Sequence, residues 1–549
     1  MKAIQIMSLQ MQEFIKELPV ERWEVLAKKP LPTYNSVSTF RRWAPHHTLK
    51  LVDRLLWGSM TKTFCIPNEE VNEALEIKAW EKFRANNASL THPTQRVYDA
   101  EVLAKVRRNV RSIFKSIHYD LADAWWGPKS NLSTKDDVSY LFKERCRVTV
   151  YPGTEKLVAS LLLRQRAQYE KYFKWAQSYL GQAPTQQELF WFTVGTFRRV
   201  RGAKFTSVFK SNTQRRGIAI EASGNTLIQR VASGAARLAL RKNLGIDLDT
   251  LADVHRDRIC GPVATIDFSS ASDSIHKDDL SFFGFPRWYR DLCFAGRAPF
   301  TCFRGESVYN RVLSSMGNTA TFETMTVLLT AIARVFDPNA TVFGDDVIIA
   351  DEQAESFIKA ITSLTNFKVN TEKSFWGGDH VRESCGAYYV RGYGYVTSYK
   401  ANAVTKLSSA VALANKVLLT ARATHDSELR EKALKLHVEL VRTLRAHLKD
   451  GPEVSFLPEY LMSTTWVNEK LNRNGRRVEM FLQLEVFNAS VIQSTNATRV
   501  TIQEAKHDDF IPLDLAIRFL RNPTRETRGA EHETIVSGTF CRASGRRLA

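Results

Sequence analysis

Residues 341–351 read TVFGDDVIIAD, two short apolar runs around Gly344-Asp345-Asp346. Each run is too short for a helix and rich in β-branched side chains, so the stretch predicts two strands joined by a tight turn. Asp is a turn former, and Gly344 can take a backbone conformation that other residues resist. The chain must therefore accommodate a β-hairpin with adjacent carboxylates at its tip. Such carboxylates repel each other unless a cation neutralises them. Hard oxygen ligands on a tight turn suit Mg²⁺, which takes few carboxylates together with substrate phosphates. A Gly-Asp-Asp tripeptide is also an ordinary surface turn, so its weight depends on what the rest of the chain supplies.

At 549 residues the chain exceeds what one hydrophobic core spans, and two to four subdomains are expected. Lys and Arg number 77 against 58 Asp and Glu, a net charge of +19, which favours a polyanionic partner: nucleic acid first, an anionic membrane surface second. Cys65, Cys146, Cys260, Cys293, Cys302, Cys385 and Cys541 are scattered, with no CxxC pair and no HExxH. That pattern argues against a zinc site or a disulfide framework and for a reducing compartment. The start of the chain mixes acids into its apolar residues and reads as an amphipathic helix rather than a signal peptide. The longest strongly apolar segment, 325–336, is too short to span a bilayer, so a cytosolic location is expected.

Residues 1 to about 200 read as mostly helical, with 154–180 as one long helix whose basic face carries Arg164, Arg166, Lys171 and Lys174. Such a face is a solvated surface or an RNA track. Lys204, Lys210, Arg215 and Arg216 then cluster on a loop or hairpin ahead of Glu221, cations suited to a triphosphate. The run VATIDF (263–268) predicts a strand ending in Asp267, where an uncompensated carboxylate is costly and should face a cation or strong donor. Asp273 follows in a turn, where it could also cap a helix. The small-residue loop Ser314-Ser315-Met316-Gly317-Asn318 opens a helix and lets backbone N–H groups approach a ligand. A helix at about 353–365, a strand at 367–370, Lys373 and a second hairpin at 383–398 complete the middle of the chain. Asp426-Ser427 caps an amphipathic helix with Leu429, Ala433, Leu436, Leu440 and Leu444 on its apolar side. Basic patches follow at Arg473, Arg476, Arg477 and at Arg542, Arg546, Arg547.

Asp267 and Asp345 lie 78 residues apart on separate strands. An antiparallel sheet backed by helices brings both to one edge, where two acids can hold two Mg²⁺ about 3.5–4 Å apart for phosphoryl transfer. Catalysis there rests on positioning and charge neutralisation.

The blocks ATIDFSSASDSI (264–275), SSMGNTATFE (314–323), FGDDVII (343–349), NTEKSF (370–375) and RESCGAYYVRG (382–392) resemble, in order and spacing, the RNA-directed RNA polymerases (replicase catalytic subunits) of single-stranded RNA bacteriophages, the levivirus group. The resemblance implies an α+β right-hand polymerase: fingers with an N-terminal extension over 1–260, an antiparallel-sheet palm over 261–400 and a helical thumb with a basic tail over 401–549. It implies Asp267, Asp345 and Asp346 as metal ligands for two Mg²⁺, with Mn²⁺ or Ca²⁺ as other occupants. Asp273 and Asn318 resemble the pair that senses the ribose 2′-OH of the incoming nucleotide, beside Ser315 and Gly317. Lys210 and Arg216 resemble basic positions of the nucleotide channel, and Lys373 resembles the lysine that protonates the leaving pyrophosphate. The implied partners are an RNA template and product, ribonucleoside triphosphates, host elongation factors Tu and Ts and a ribosomal RNA-binding protein, in the bacterial cytoplasm.

Two positions depart from the family pattern. Thr319-Ala320 follow Gly317-Asn318 where relatives usually carry another Gly, and Ile220 stands where relatives often have a second Lys, leaving Arg215 as its substitute. A reverse transcriptase shares the palm logic but usually places a bulky residue at the ribose position and an aromatic one before the paired acids. A non-catalytic RNA-binding or packaging protein would fit the charge without needing three carboxylates at metal-binding spacing.

Overall fold

The computed structural model describes residues 2–18, 46–62, 69–127, 146–211, 214–396, 398–401, 404 and 407–447, with short pieces at 27, 64, 130–134, 143, 467–471, 478–483 and 489–492. The basic patches at 473–477 and 542–547 lie outside the described residues, as do Cys65 and Cys541. The chain divides into two compact units, 68–395 and 1–67 with 396–549.

The second of these units is built on helices Lys2–Glu17, His46–Thr61, Leu407–Ala423 and Ser427–His447. The expected cap is present: Asp426 Oδ1 accepts the Leu429 N–H at 2.9 Å, and Ala433, Leu436, Leu440 and Leu444 are buried. Asp53, itself buried, accepts the N–H groups of His425 and Asp426 at 2.8 Å each, which ties the start of that helix to His46–Thr61.

The larger unit carries helices α1 (Glu69–Ser89), α2 (Ala100–Ile113), α3 (Glu155–Leu163), α4 (Arg166–Leu180), α5 (Gln186–Thr196), α6 (Ser223–Leu244), α7 (Leu251–Arg258), α8 (Arg287–Gly296), α9 (Thr321–Ala333) and α10 (Ala354–Leu364). Its strands are β1 (Thr149–Val150), β2 (Arg198–Arg199), β3 (Ala203–Ser211), β4 (Gln214–Ile220), β5 (Val263–Ile266), β6 (Phe268–Ser269), β7 (Phe300–Phe303) and β8 (Glu306–Tyr309). They continue with β9 (Thr341–Phe343), β10 (Asp346–Ala350), β11 (Lys368–Val369), β12 (Val381–Ser384) and β13 (Ala387–Val390).

The one long helix expected over 154–180 is two. Gln165 is extended (φ −87°, ψ 119°), and its side-chain amide donates to the Ala124 carbonyl, which breaks the helix between α3 and α4.

The central sheet has the order β5-β10-β9, antiparallel throughout. Val342, Val347, Ile348 and Ile349 are buried in it, and α9 lies against β9 and β10 with most of its residues buried. Met325, Val327, Leu328, Leu329 and Ile332 supply its apolar surface, and the buried Thr326 donates to the Phe322 carbonyl at 2.8 Å within the helix. The predicted 263–268 strand is interrupted. β5 pairs with β10, whereas β6 leaves that sheet to pair with β11, and Asp267 stands at the switch. A second sheet, β4-β3-β7-β8, presents the basic hairpin. Trp80 and Phe83 of α1 bury themselves against Phe205 of that sheet, with Trp80 and Phe205 ring centroids 5.0 Å apart. The α+β class with an antiparallel sheet backed by helices is therefore present as expected, and no described helix is long and apolar enough to cross a membrane.

Candidate active site

The β9–β10 connection is the predicted tight hairpin turn, but only one of the two acids expected at its tip lies in it, because Asp346 already belongs to β10. Asp346 pairs with Phe343, which leaves Gly344 and Asp345 at the tip. Gly344 has φ +67°, and a Cβ there would run into the Phe322 ring, so glycine is required on both counts. From below, Thr326 Oγ1 on α9 accepts the Gly344 N–H at 3.0 Å, while Phe322 and Phe343 meet edge-on at 4.9 Å.

The β10–β5 register pairs Val347 with Ile266, so one step further brings Asp346 level with Asp267. Three carboxylates thus meet at one sheet edge, and their electrostatics register it. Burial first, then repulsion from Asp345, raises the Asp267 carboxyl above its ordinary value. Burial, Glu383 and Asp345 hold Asp346 well above the usual carboxylate range.

Each half-buried acid is fixed by a neighbouring donor. Asn370 Nδ2 donates to Asp267 Oδ2 at 2.8 Å, and the Cys385 N–H donates to Asp346 Oδ2 at 3.0 Å. Together they are a hard oxygen donor set in mutual repulsion that fits divalent cations. A 370–375 turn wraps Asp267: the Asn370 N–H donates to the Asp267 carbonyl at 2.8 Å, and Ser374 Oγ accepts the Asp267 N–H at 3.0 Å.

Cations ring the acids. Burial and then the charges of Lys373, Arg216 and Lys82 depress Lys210, while Asp267 opposes. These side chains therefore share one electrostatic neighbourhood. Val208 pairs with Arg216 and Phe209 with Arg215, which puts the two arginines on opposite faces of the hairpin; a bulge follows Phe209. Arg215 is spent on structure: its Nε and Nη2 donate to the Ser207 hydroxyl and carbonyl at 2.7 and 2.8 Å, and its guanidinium lies 4.3 Å over Phe209. Ile220 pairs with Lys204, on the face of Arg216, so Arg215 does not stand in for a lysine there.

Asp273 closes a short turn and makes no helix cap. Burial pushes its carboxyl up to about 6, with Lys82 of α1 pulling the other way. The loop opening α9 lies against β4, where the Ala219 N–H donates to the Met316 carbonyl at 2.7 Å. Gly317 has φ +114°, and a Cβ there would collide with the Ala219 carbonyl. Asn318 Oδ1 accepts the Ala320 N–H at 2.9 Å, which leaves its amide NH₂ as a donor. Ser315 is buried, its hydroxyl without a protein partner. The Thr319 N–H meets Gln229 Oε1 at 3.0 Å, so the residue that replaces the family glycine is accommodated at ordinary φ.

Sequence reasoning passed over Asn370, Ser374, Glu383, Cys385 and Lys82. The 370–375 and 382–392 blocks contain the first four. Lys82 is an exposed position of α1 with no motif to mark it.

Another cluster has ligand-like spacing: His92, His276 and Asp278, with His92 Nε2 3.3 Å and His276 Nδ1 3.6 Å from Asp278 Oδ2. Lys277 Nζ already takes that oxygen at 2.8 Å, and the Asp278 N–H takes His276 Nδ1 at 3.2 Å, so the cluster is satisfied as an ion pair with hydrogen bonds.

The family model described as RNA replicase, beta-chain, matches residues 167–468, which contain the whole carboxylate edge and the cations of β3 and β4. The chain belongs to the RNA replicase beta-chain family. It is 34% identical over 234 residues to the RNA-directed RNA polymerase beta chain of Enterobacteria phage fr, covering 40% of this chain and 42% of that one. Against the same protein of Escherichia phage MS2 it is 32% identical over 231 residues, covering 40% and 42%. These matches span less than half the length of the curated relatives. Among solved structures it is similar to the RNA-dependent RNA polymerase of a human picobirnavirus, with 12% identity and a TM-score of 0.42 over 75% of this chain and 82% of that one.

Proposed function

We propose that the protein is an RNA-directed RNA polymerase that copies a single-stranded RNA phage genome without a primer, by two-metal nucleotidyl transfer. The observation that carries this reading is the sheet edge: Asp346 level with Asp267, Asp345 in the adjoining turn, and Lys210 and Lys373 beside them, in a chain of the replicase family.

Asp267, Asp345 and Asp346 would hold two Mg²⁺, which when bound activate the attacking 3′-hydroxyl and neutralise the leaving pyrophosphate. Lys210 and Arg216 draw the triphosphate in and fix it in line, and their mutual repulsion falls when the anion arrives. Lys373 donates a proton to the leaving pyrophosphate oxygen. Asp273 accepts from the ribose 2′-OH while the Asn318 amide donates to it, so a deoxyribose leaves both unpaired. Asn370 keeps Asp267 from turning away from the edge.

By resemblance we assign fingers, palm and thumb to 1–260, 261–400 and 401–549, with host elongation factors Tu and Ts and a ribosomal RNA-binding protein as partners in the bacterial cytoplasm. The test is incorporation of labelled ribonucleotides on a single-stranded RNA ending in a 3′ cytidine run, with Mg²⁺, with and without elongation factors. Primer-independent product made from ribonucleotides supports the reading. RNA binding without synthesis, even with cognate phage RNA and host lysate, favours a packaging protein.

A further inference from the structure

Helices α4 and α5 and the segment leading into β1 border an open cavity of about 380 Å³ lined by Arg147, Val148, Tyr172, Trp175 and Thr196. None of these elements carries a candidate catalytic residue. Tyr172 is buried, with its ring 5.5 Å from Trp175 at 81°. Trp175 forms the wall and is 45% exposed, unusual for the largest apolar side chain. Lys171 Nζ lies 4.7 Å from the Trp175 ring and 5.0 Å from Tyr172. Arg147 is anchored by its Nε on the Thr196 carbonyl at 2.9 Å, which leaves the donors of its two terminal nitrogens.

The surroundings repeat the theme. Trp191 on α5 is 48% exposed under Lys156, whose Nζ is 5.1 Å from its ring, and Tyr179 and Lys174 are exposed on α4. Among the described residues, Glu170 is paired with Arg166 at 2.9 Å and Glu155 with Arg199 at 2.6 Å. The described surface thus sets partly exposed indoles, each with a lysine against its ring, among further cations, the combination that binds unpaired bases along a phosphate backbone. A duplex keeps its bases stacked and offers no π-face to an indole, so the fitting ligand is single-stranded.

We propose that this cavity is a nucleobase site for single-stranded RNA, in which a base stacks on Trp175 while a flanking phosphate meets Arg147. The choice of RNA rests on the polymerase reading. The site grips template outside the carboxylate edge.

The full chain is titrated with a fluorescent six-nucleotide single-stranded RNA by anisotropy, as wild type, Trp175→Ala, Trp175→Phe and Arg147→Gln. A 5-iodouridine version is photo-cross-linked and the adducts are mapped by mass spectrometry. Trp175→Ala is expected to weaken binding about fivefold or more, the loss of one stacked base. Trp175→Phe should keep most of the affinity, which separates stacking from damage to the fold. Cross-links should fall in 166–180. Equal affinity of Trp175→Ala and wild type, or adducts confined to 203–220 and 263–350, overturns the proposal. A wild-type chain with no affinity for RNA would instead overturn the polymerase reading.

Discussion

Replacing Asp273 by Asn should make the protein more stable and worse at choosing its sugar. In the folded chain the Asp273 carboxyl titrates at about 6, against 3.8 for a free one, because burial penalises its charge more than Lys82 relieves it. The folded state therefore binds the proton more tightly than the unfolded state. Its disadvantage is absent below pH 3.8, grows as pH rises toward 6, and is constant above. The full shift corresponds to about 3 kcal/mol at 1.36 kcal/mol per unit. Asp273 keeps part of its surface in solvent, so about 1–3 kcal/mol is the working range. Over the residues of the 68–395 unit, an unfolding entropy of about 2.1 cal/mol/K per residue turns that into a rise of about 1.5–4 °C. At pH 5 about half of the advantage should be gone. The assay is thermal unfolding of wild type and Asp273→Asn at pH 5 and pH 7.5, with ribo- against deoxyribonucleotide incorporation measured at pH 7.5. An advantage that does not shrink at pH 5, or a mutant no more stable than wild type, refutes the claim that this carboxylate is ionised at a cost. Unchanged sugar discrimination refutes its role at the ribose.

Asn370→Ala removes the hydrogen bond that holds Asp267 and should lower kcat about tenfold, with KM for nucleotides little changed; single-turnover incorporation reads it, and an unchanged kcat removes Asn370 from the site. Arg96→Ala strands Asp279, since both side chains are buried and 2.7 Å apart, and should cost about 3–5 kcal/mol in urea unfolding at pH 7.5. Part of that loss should return at pH 5, because Asp279 already titrates at about 6 and protonates more readily without its partner. A cost below about 1 kcal/mol would show that water reaches the pair.

The carboxylate edge was legible because its cause is local. A glycine and an acid between two β-branched runs leave a hairpin as the only economical arrangement, and strand parity then fixes which residues reach its tip. The Asp426 cap was legible for the same reason. The long helix over 154–180 was misread because nothing in the sequence punctuates it. Its break depends on Gln165 reaching the Ala124 carbonyl, a contact 41 residues away. Reading Arg215 as the substitute for a lysine at Ile220 weighed charge and proximity but not strand alternation, which puts Arg216 and not Arg215 on the face of Ile220. The hold on Asp346 was hidden as well. It comes from a backbone N–H, and Cys385 takes φ +53° to present it, with Gly386 at φ +79° completing the turn. A Cys-Gly pair is not the Asn-Gly signal that marks such a turn.

The most direct measurement is nucleotide incorporation by Asp345→Asn beside wild type, on the same RNA and with the same Mg²⁺, with RNA affinity measured in parallel. The substitution removes one charge from the hairpin tip and leaves its shape. The account predicts that synthesis is abolished while RNA affinity stays within about twofold, because the cations of β3 and β4 and the Trp175 cavity are untouched. Incorporation at the wild-type rate would contradict the assignment of this edge as the catalytic centre.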